Sequence, residues 1–410
     1  MRTIHSRATR GAGFLLALSG IISLSACSAL INQHENTSNS SPEVQNTQSF
    51  ESRKPAPSPN VSIEQSPEYQ AKRAVSSMSL EEQVGQLIMA PLNVTDDPAA
   101  FNSVITQYHI GSALLLGNWN GGITQVEQAT HSLQSYAPAG RQLLIASDQE
   151  GGQVQHLQGS GFDRIPGGTI QGRMTTAALR SSAQRWGSQL KTAGVNVNLA
   201  PVLDTVQTVS RQSNAPVGAL NRDFGLDANG NGEHGIAFIQ GMADAGVSTS
   251  IKHYPGLGAV TGNTDFTEHG IEDSTTSFDG EEISAFTDAL SAEPAMVMMS
   301  LATYTRLDPT NPAAFSATII DNLRDRHGFN GVITSDSLSA AALDGTSPDQ
   351  LGVRFIEAGG DLACIGASSY VEPVVQGLIA RAKKDKAFAA KIHRSATRVM
   401  TLKYSVDLAR

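Results

Sequence analysis

The sequence predicts an α/β fold, a (β/α)8 TIM-type barrel in a single domain, on three observations. Eight short strand-like runs, at 86–90, 112–116, 143–147, 195–199, 247–251, 295–299, 331–335 and 361–365, alternate with helix-length segments. Several of those segments end in glycine just ahead of the next run, at Gly194, Gly246, Gly328 and Gly359-Gly360, where a left-handed residue closes a helix. No Gly-x-Gly-x-x-Gly opens a helix after the first run, so an open dinucleotide-binding sheet has no support.

In chain order, the first 26 residues read as a secretory leader. Arg2, Arg7 and Arg10 form a positive start, and 11–24 is an apolar stretch too short for a comfortable membrane span. It closes on Leu24-Ser25-Ala26-Cys27, which is similar to the lipobox of bacterial lipoproteins, where the cysteine is acylated after cleavage. Residues 28–66 are rich in Ser, Asn, Gln, Glu and Pro. They lack the apolar surface to offset ordering entropy and read as a tether with a span of about 35 Å. The expected location is therefore the cell envelope, on the outer face of the cytoplasmic membrane, held by lipid on Cys27. From 67 to 410 no break of linker character occurs. Helical stretches at 175–192, 235–245, 280–291 and 349–358 carry apolar residues at helical spacing, as a ring outside a barrel requires.

Charge and cysteine content narrow the function. The formal charge of −9 becomes −12 once the three leader arginines go, which disfavours nucleic acid as a partner. Of the two cysteines only Cys364 belongs to the folded part, so no disulfide staples it, and a buried small hydrophobe is the expected role. No CxxC, HExxH or EF-hand spacing signals a metal site, and no cofactor is implied.

The chemistry gathers at strand ends. The run at 143–147 leads into Asp148-Gln-Glu-Gly-Gly, that at 247–251 into Lys252-His-Tyr-Pro-Gly-Leu-Gly, and that at 331–335 into Asp336-Ser-Leu. In a barrel the residues after each strand share one face, so Asp148, Asp204, Lys252, His253 and Asp336 converge on one rim. The blander alternatives are that Asp336 caps a following helix and that the charged set is an ion-pair network bracing the barrel. Trp119 is either a sugar-stacking ring or rim packing.

These motifs, with Asn221-Arg-Asp-Phe-Gly and Ile333-Thr-Ser-Asp-Ser, resemble four motifs of glycoside hydrolase family 3, most closely its bacterial β-N-acetylglucosaminidases, from about Met78 to Cys364. The resemblance implies retaining hydrolysis with Asp336 as nucleophile and no cofactor. Such chemistry sets the nucleophile about 5–5.5 Å from the acid/base carboxyl. It further implies that Asp148, Arg222, Lys252 and His253 hold the sugar beside the cleaved bond, with Asp204 supporting and Glu150 bracing a loop. Where the family carries Asp-Ser-His as its acid/base segment, this chain has Asp265-Phe-Thr-Glu-His, with Thr267 in the histidine's place and His269 two residues on. Asp265 and His269 together are the expected proton donors, with Glu268 or Asp265 alone as alternatives. His156 stands where the family has an arginine that contributes to sugar binding, leaving the subsite less positive.

The implied function is an exo-acting β-N-acetylhexosaminidase releasing terminal β-linked N-acetylglucosamine from muropeptide-like or chitin-like oligosaccharides in cell-wall turnover. A monomer without a second domain is expected. Two alternatives stay open: an inert sugar-binding lipoprotein, and a β-glucosidase of the same fold.

Overall fold

The computed structural model describes residues 65–206 and 208–410. The leader, Cys27 and the tether up to residue 64 lie outside these. Eight parallel strands form the barrel: β1 (Ile88–Asn93), β2 (Ser112–Leu116), β3 (Leu144–Ser147), β4 (Val197–Asn198), β5 (Ser248–Tyr254), β6 (Met296–Met299), β7 (Val332–Ser335) and β8 (Ala363–Cys364). Each pairs with its sequence neighbour, and β1 returns to β8 through Ile88 beside Ala363. The remaining seam, β7 to β8, closes through a parallel bridge between Thr334 and Leu362 and the Ser335 N–H to Leu362 carbonyl bond of 3.2 Å. All eight expected runs hold a strand, the second with the expected bounds and the others with shifted ends. The first begins two residues late because Gln86 closes the helix Leu80–Gln86, which Ser79 and Glu82 start with a reciprocal capping box. β5 runs on to Tyr254, carrying Lys252 and His253 inside the strand rather than beyond it.

The expected helices are present as Thr176–Thr192, Ala228–Asp244, Glu281–Ala289 and Pro348–Ala358. The second starts seven residues before its expected position, because Asp227 caps Gly230 N–H at 2.8 Å and so nucleates a Gly- and Asn-rich first turn. Two hydrophobic layers result. A large one joins the outer faces of the strands to the helices. A smaller one fills the barrel with Met89, Leu114, Leu144, Val197, Leu199, Met296, Met298, Val332 and Cys364. Val399 and Leu402 of the helix Lys386–Ser405 belong to this inner layer. The strands are thus buried on both faces, which is why they read as continuous apolar runs. No helix among the described residues is long and apolar enough to cross a membrane.

Loops after the strands build one end of the barrel. A hairpin of Gln149–Gly151 and Val154–Gln155 follows β3. Segments after β5 and β6 meet in a small sheet of Glu272–Asp273, Thr303–Tyr304 and Asp308–Pro312.

Candidate active site

A cavity of about 380 Å³ opens at this end. Asp148, His156, Arg222, Lys252, His253, Asp265 and Asp336 all line it, so most of the site residues expected from sequence come together. Leu114, Leu199, Met298 and Cys364 contribute apolar surface from the inner layer of the barrel.

Each polar group is placed by its strand. Asp148 follows β3, and its neighbour Gln149 is pinned to β4: Gln149 N–H donates to Asn198 Oδ1 at 3.1 Å and Asn198 Nδ2 donates back to the Gln149 carbonyl at 3.2 Å. The chain then turns through Gly151 at φ 107°, where a Cβ would stand 2.4 Å from the Pro166 carbonyl oxygen. Only glycine meets both demands. Lys252 and His253 are adjacent on β5, where a regular strand would send them to opposite faces. The pairing of β5 with β6 shifts register between Ile251 and Tyr254, and both side chains reach the cavity.

The cations are matched one by one. Lys252, almost wholly buried, pairs with Asp148 and with Glu150 at 2.5 Å. Arg222 forms a two-pronged bond to Glu150, at 2.9 and 2.7 Å, and donates to the Pro216 carbonyl at 2.7 Å. Burial by itself would raise the Glu150 carboxyl; the Arg222 and Lys252 charges overturn this and hold it well below the usual range. Burial would likewise lower Lys252, but the Asp148 and Glu150 charges prevail and raise it. His253 Nδ1 meets Asp204 Oδ2 at 2.7 Å, while Asp204 Oδ1 accepts from the backbone N–H of His253 at 3.2 Å and of Leu257 at 2.7 Å. His253 Nε2 faces Arg222 Nη2 at 3.4 Å. Asp204 lies outside the cavity lining and fixes the imidazole from behind.

Two carboxyls stand apart from this pairing. Asp336, partly exposed at the end of β7, accepts the Ser337 N–H at 2.8 Å, and no ion pair to it occurs among the described residues. Asp265 arrives on the long loop after β5. Its carbonyl accepts from Ala341 N–H at 3.3 Å, and that of Thr264 from Ala342 N–H at 3.0 Å. The loop is thereby fastened to the segment that follows Asp336. Asp265 is itself an exposed residue, but it lines the cavity, where partial loss of water around its carboxyl and then the Asp336 charge push it up to about 6, against the opposing pull of Arg222 and His253.

His269 is not brought into this group. It is exposed, is absent from the cavity lining, and its backbone N–H bonds Thr267 Oγ1 at 2.9 Å. Glu268 is exposed as well and does not line the cavity. Trp119 is buried, with its indole N–H on the Leu116 carbonyl at 3.0 Å, and packs at the rim rather than facing the cavity. Cys364 is buried, and that burial raises its thiol well above the ordinary range. Sequence reading missed two features: Glu150 is the shared counter-ion of Arg222 and Lys252 rather than a loop brace alone, and Phe266 stands exposed at the cavity mouth.

Comparison with known proteins agrees with this geometry. A β-N-acetylhexosaminidase structure from Beutenbergia cavernae superposes with a TM-score of 0.74 at 40% identity, covering 79% of this chain and 98% of that one. A β-hexosaminidase of Xylella fastidiosa is 30% identical over 66% of this chain and 81% of its own length. A β-hexosaminidase of Mycobacterium tuberculosis is 26% identical over 80% and 83%. Residues 79–402 match the glycosyl hydrolase family 3 N terminal domain. The chain belongs to glycosyl hydrolase family 3 and is a glycoside hydrolase acting on O-glycosyl bonds.

Proposed function

We propose that the protein is a retaining exo-β-N-acetylglucosaminidase acting through a glycosyl-enzyme on Asp336. One observation carries this reading. Arg222 and Lys252 are both paired, Lys252 with Asp148 and the two together with Glu150, while Asp204 holds His253, which leaves Asp336 and Asp265 as the lining carboxyls outside the ion pairs. A nucleophile held in a salt bridge would be blunted; an unpaired one keeps its electron pair available. A carboxyl raised to about 6 keeps a proton to give near neutral pH.

In the first step an Asp336 oxygen bonds to the anomeric carbon as the glycosidic C–O bond breaks. Asp265 passes its proton to the departing oxygen, and the aglycone leaves as an alcohol. In the second step Asp265, now a carboxylate, takes a proton from water whose oxygen attacks the same carbon and releases Asp336. Asp148, Lys252, His253 and Arg222 present fixed charges and dipoles to the ring hydroxyls without rearranging. The apolar surface that Leu114, Leu199, Met298 and Cys364 bring from the inner layer supports a closed end, fit for a chain terminus rather than its middle. That supports exo action, and the hexosaminidase relatives support an N-acetylated amino sugar. His156 in an arginine's place leaves room for an uncharged group near Asp148.

Lipid attachment at Cys27, with the catalytic domain held off the membrane on its tether, is part of the same proposal and rests on the leader sequence. The test is hydrolysis of an aryl β-N-acetylglucosaminide beside the glucoside. Turnover should favour the former and fall by at least about 10⁴-fold in Asp336→Ala. Survival of activity in that variant refutes the nucleophile. Binding without turnover would point to a sugar-binding protein.

A further inference from the structure

We infer that Phe266 is the platform for the leaving-group sugar, and so sets which aglycones the enzyme accepts. The inference rests on the hydrolase reading above and goes beyond it by naming a second subsite.

Phe266 is 80% exposed, well above Ile170 at 46%, the other exposed large apolar side chain among the described residues, and it lines the cavity. Water contact over a whole phenyl ring is unfavourable by a kilocalorie-scale term that nothing in the resting fold offsets. The ring is not loose chain. Its backbone N–H bonds the Asn263 carbonyl at 3.0 Å, in a turn that Asn263 Oδ1 also caps at Asp265 N–H, 3.0 Å. The two residues before it are tied to Ala341 and Ala342 beyond Asp336. Phe266 is therefore carried on the same fixed turn as the proton donor.

That adjacency identifies the occupant. The oxygen protonated by Asp265 joins the terminal sugar to the aglycone. Whatever ring hangs from this oxygen on the outer side lies beside the residue next to the donor. A β-linked pyranose presents axial C–H groups on its faces, which suit an aromatic surface, whereas its hydroxyls lie at the edge. The inner subsite is lined by charged groups that read hydroxyls; the outer contact is one aromatic face. The two subsites thus differ in kind, selective within and tolerant of ring substituents without.

The test compares Phe266→Ala with wild type on N,N′-diacetylchitobiose and on β-N-acetylglucosaminyl fluoride, whose leaving group has no ring. The expected loss in kcat/KM on the disaccharide exceeds that on the fluoride by about tenfold, chiefly through KM, as removal of one stacking face implies. Phe266→Trp should restore it. Equal losses on both substrates would mean that Phe266 only shapes the loop, and no loss on either would remove it from the site; each outcome overturns the inference. A second arm measures calorimetric binding of chitobiose and of N-acetylglucosamine to Asp336→Asn with and without Phe266→Ala. Weakening of the disaccharide alone supports the platform, and equal weakening of both overturns it. Failure of wild type to turn over either substrate sinks the hydrolase reading, while this binding arm still decides Phe266.

Discussion

Asp265→Asn removes the proposed proton donor while keeping the shape of the side chain and the turn that carries it. With the Asp265 carboxyl at about 6, about nine tenths of molecules hold its proton at pH 5 and about one tenth at pH 7. The rate of glycosyl-enzyme formation from a disaccharide should therefore fall about tenfold for each pH unit above 6 in wild type. In Asp265→Asn this alkaline limb should vanish, and kcat/KM on chitobiose should drop by about 10²–10⁴-fold, the usual worth of general acid catalysis. A 2,4-dinitrophenyl glycoside, whose leaving group departs without a proton, should lose far less in its first step. The assay is the pH profile of kcat/KM on both substrates for wild type, Asp265→Asn and His269→Ala. If Asp265→Asn keeps the alkaline limb, or His269→Ala abolishes it, the donor has been misassigned. The structure adds an internal control. Part of the upward push on Asp265 comes from the Asp336 charge. Esterification of Asp336 by the sugar removes that charge, so Asp265 becomes more acidic in the intermediate and is readied to act as a base.

Two further outcomes follow from the buried charges. Glu150→Gln strips Arg222 and Lys252 of their shared counter-ion and should lower stability by about 3–5 kcal/mol, read as a drop in Tm; an unchanged Tm would refute the pairing argument. Lys403 is fully buried, with Gln86 Oε1 at 2.8 Å, and burial followed by the nearby Arg141 charge lowers it to about 7. The unfolded chain binds this proton up to about pH 10.4 and the folded chain releases it near 7, so stability should rise with pH across that window. Urea denaturation at pH 7, 8 and 9 should show a slope in wild type steeper than in Lys403→Met by up to about 1.4 kcal/mol per pH unit; parallel slopes would show that Lys403 stays charged.

Much of the barrel was legible because strands buried on both faces leave uninterrupted apolar runs, and helices that close on glycine leave a mark before the next run. Element ends were less legible, since a cap such as Ser79 with Glu82 or Asp227 decides them and outweighs the apolar pattern. In the site, Asp148, Lys252, His253 and Asp336 could be read because each sits at or next to a strand end. Glu150 could not: its partners Arg222 and Lys252 come from a distant loop and from β5, and only closure of the barrel brings them together. The choice between Asp265 and His269 was equally hidden. Spacing along a loop says nothing of which residue reaches the cavity wall; the structure places Asp265 in the lining and leaves His269 outside it, with the bonds from Ala341 and Ala342 holding the backbone at 264–265.

Those two backbone bonds also separate what must stay constant from what is free to drift. They register the stretch at 264–265 against the turn beyond Asp336. An insertion at the exposed Thr261 would leave these ties in place, whereas Val260 before it is buried with its carbonyl on Asn214 Nδ2 at 2.8 Å and is fixed. The chain can thus be lengthened at Thr261 by evolution or by an engineer without retuning the chemistry, whereas a single proline at 341 or 342, which has no N–H to give, would unfasten the loop.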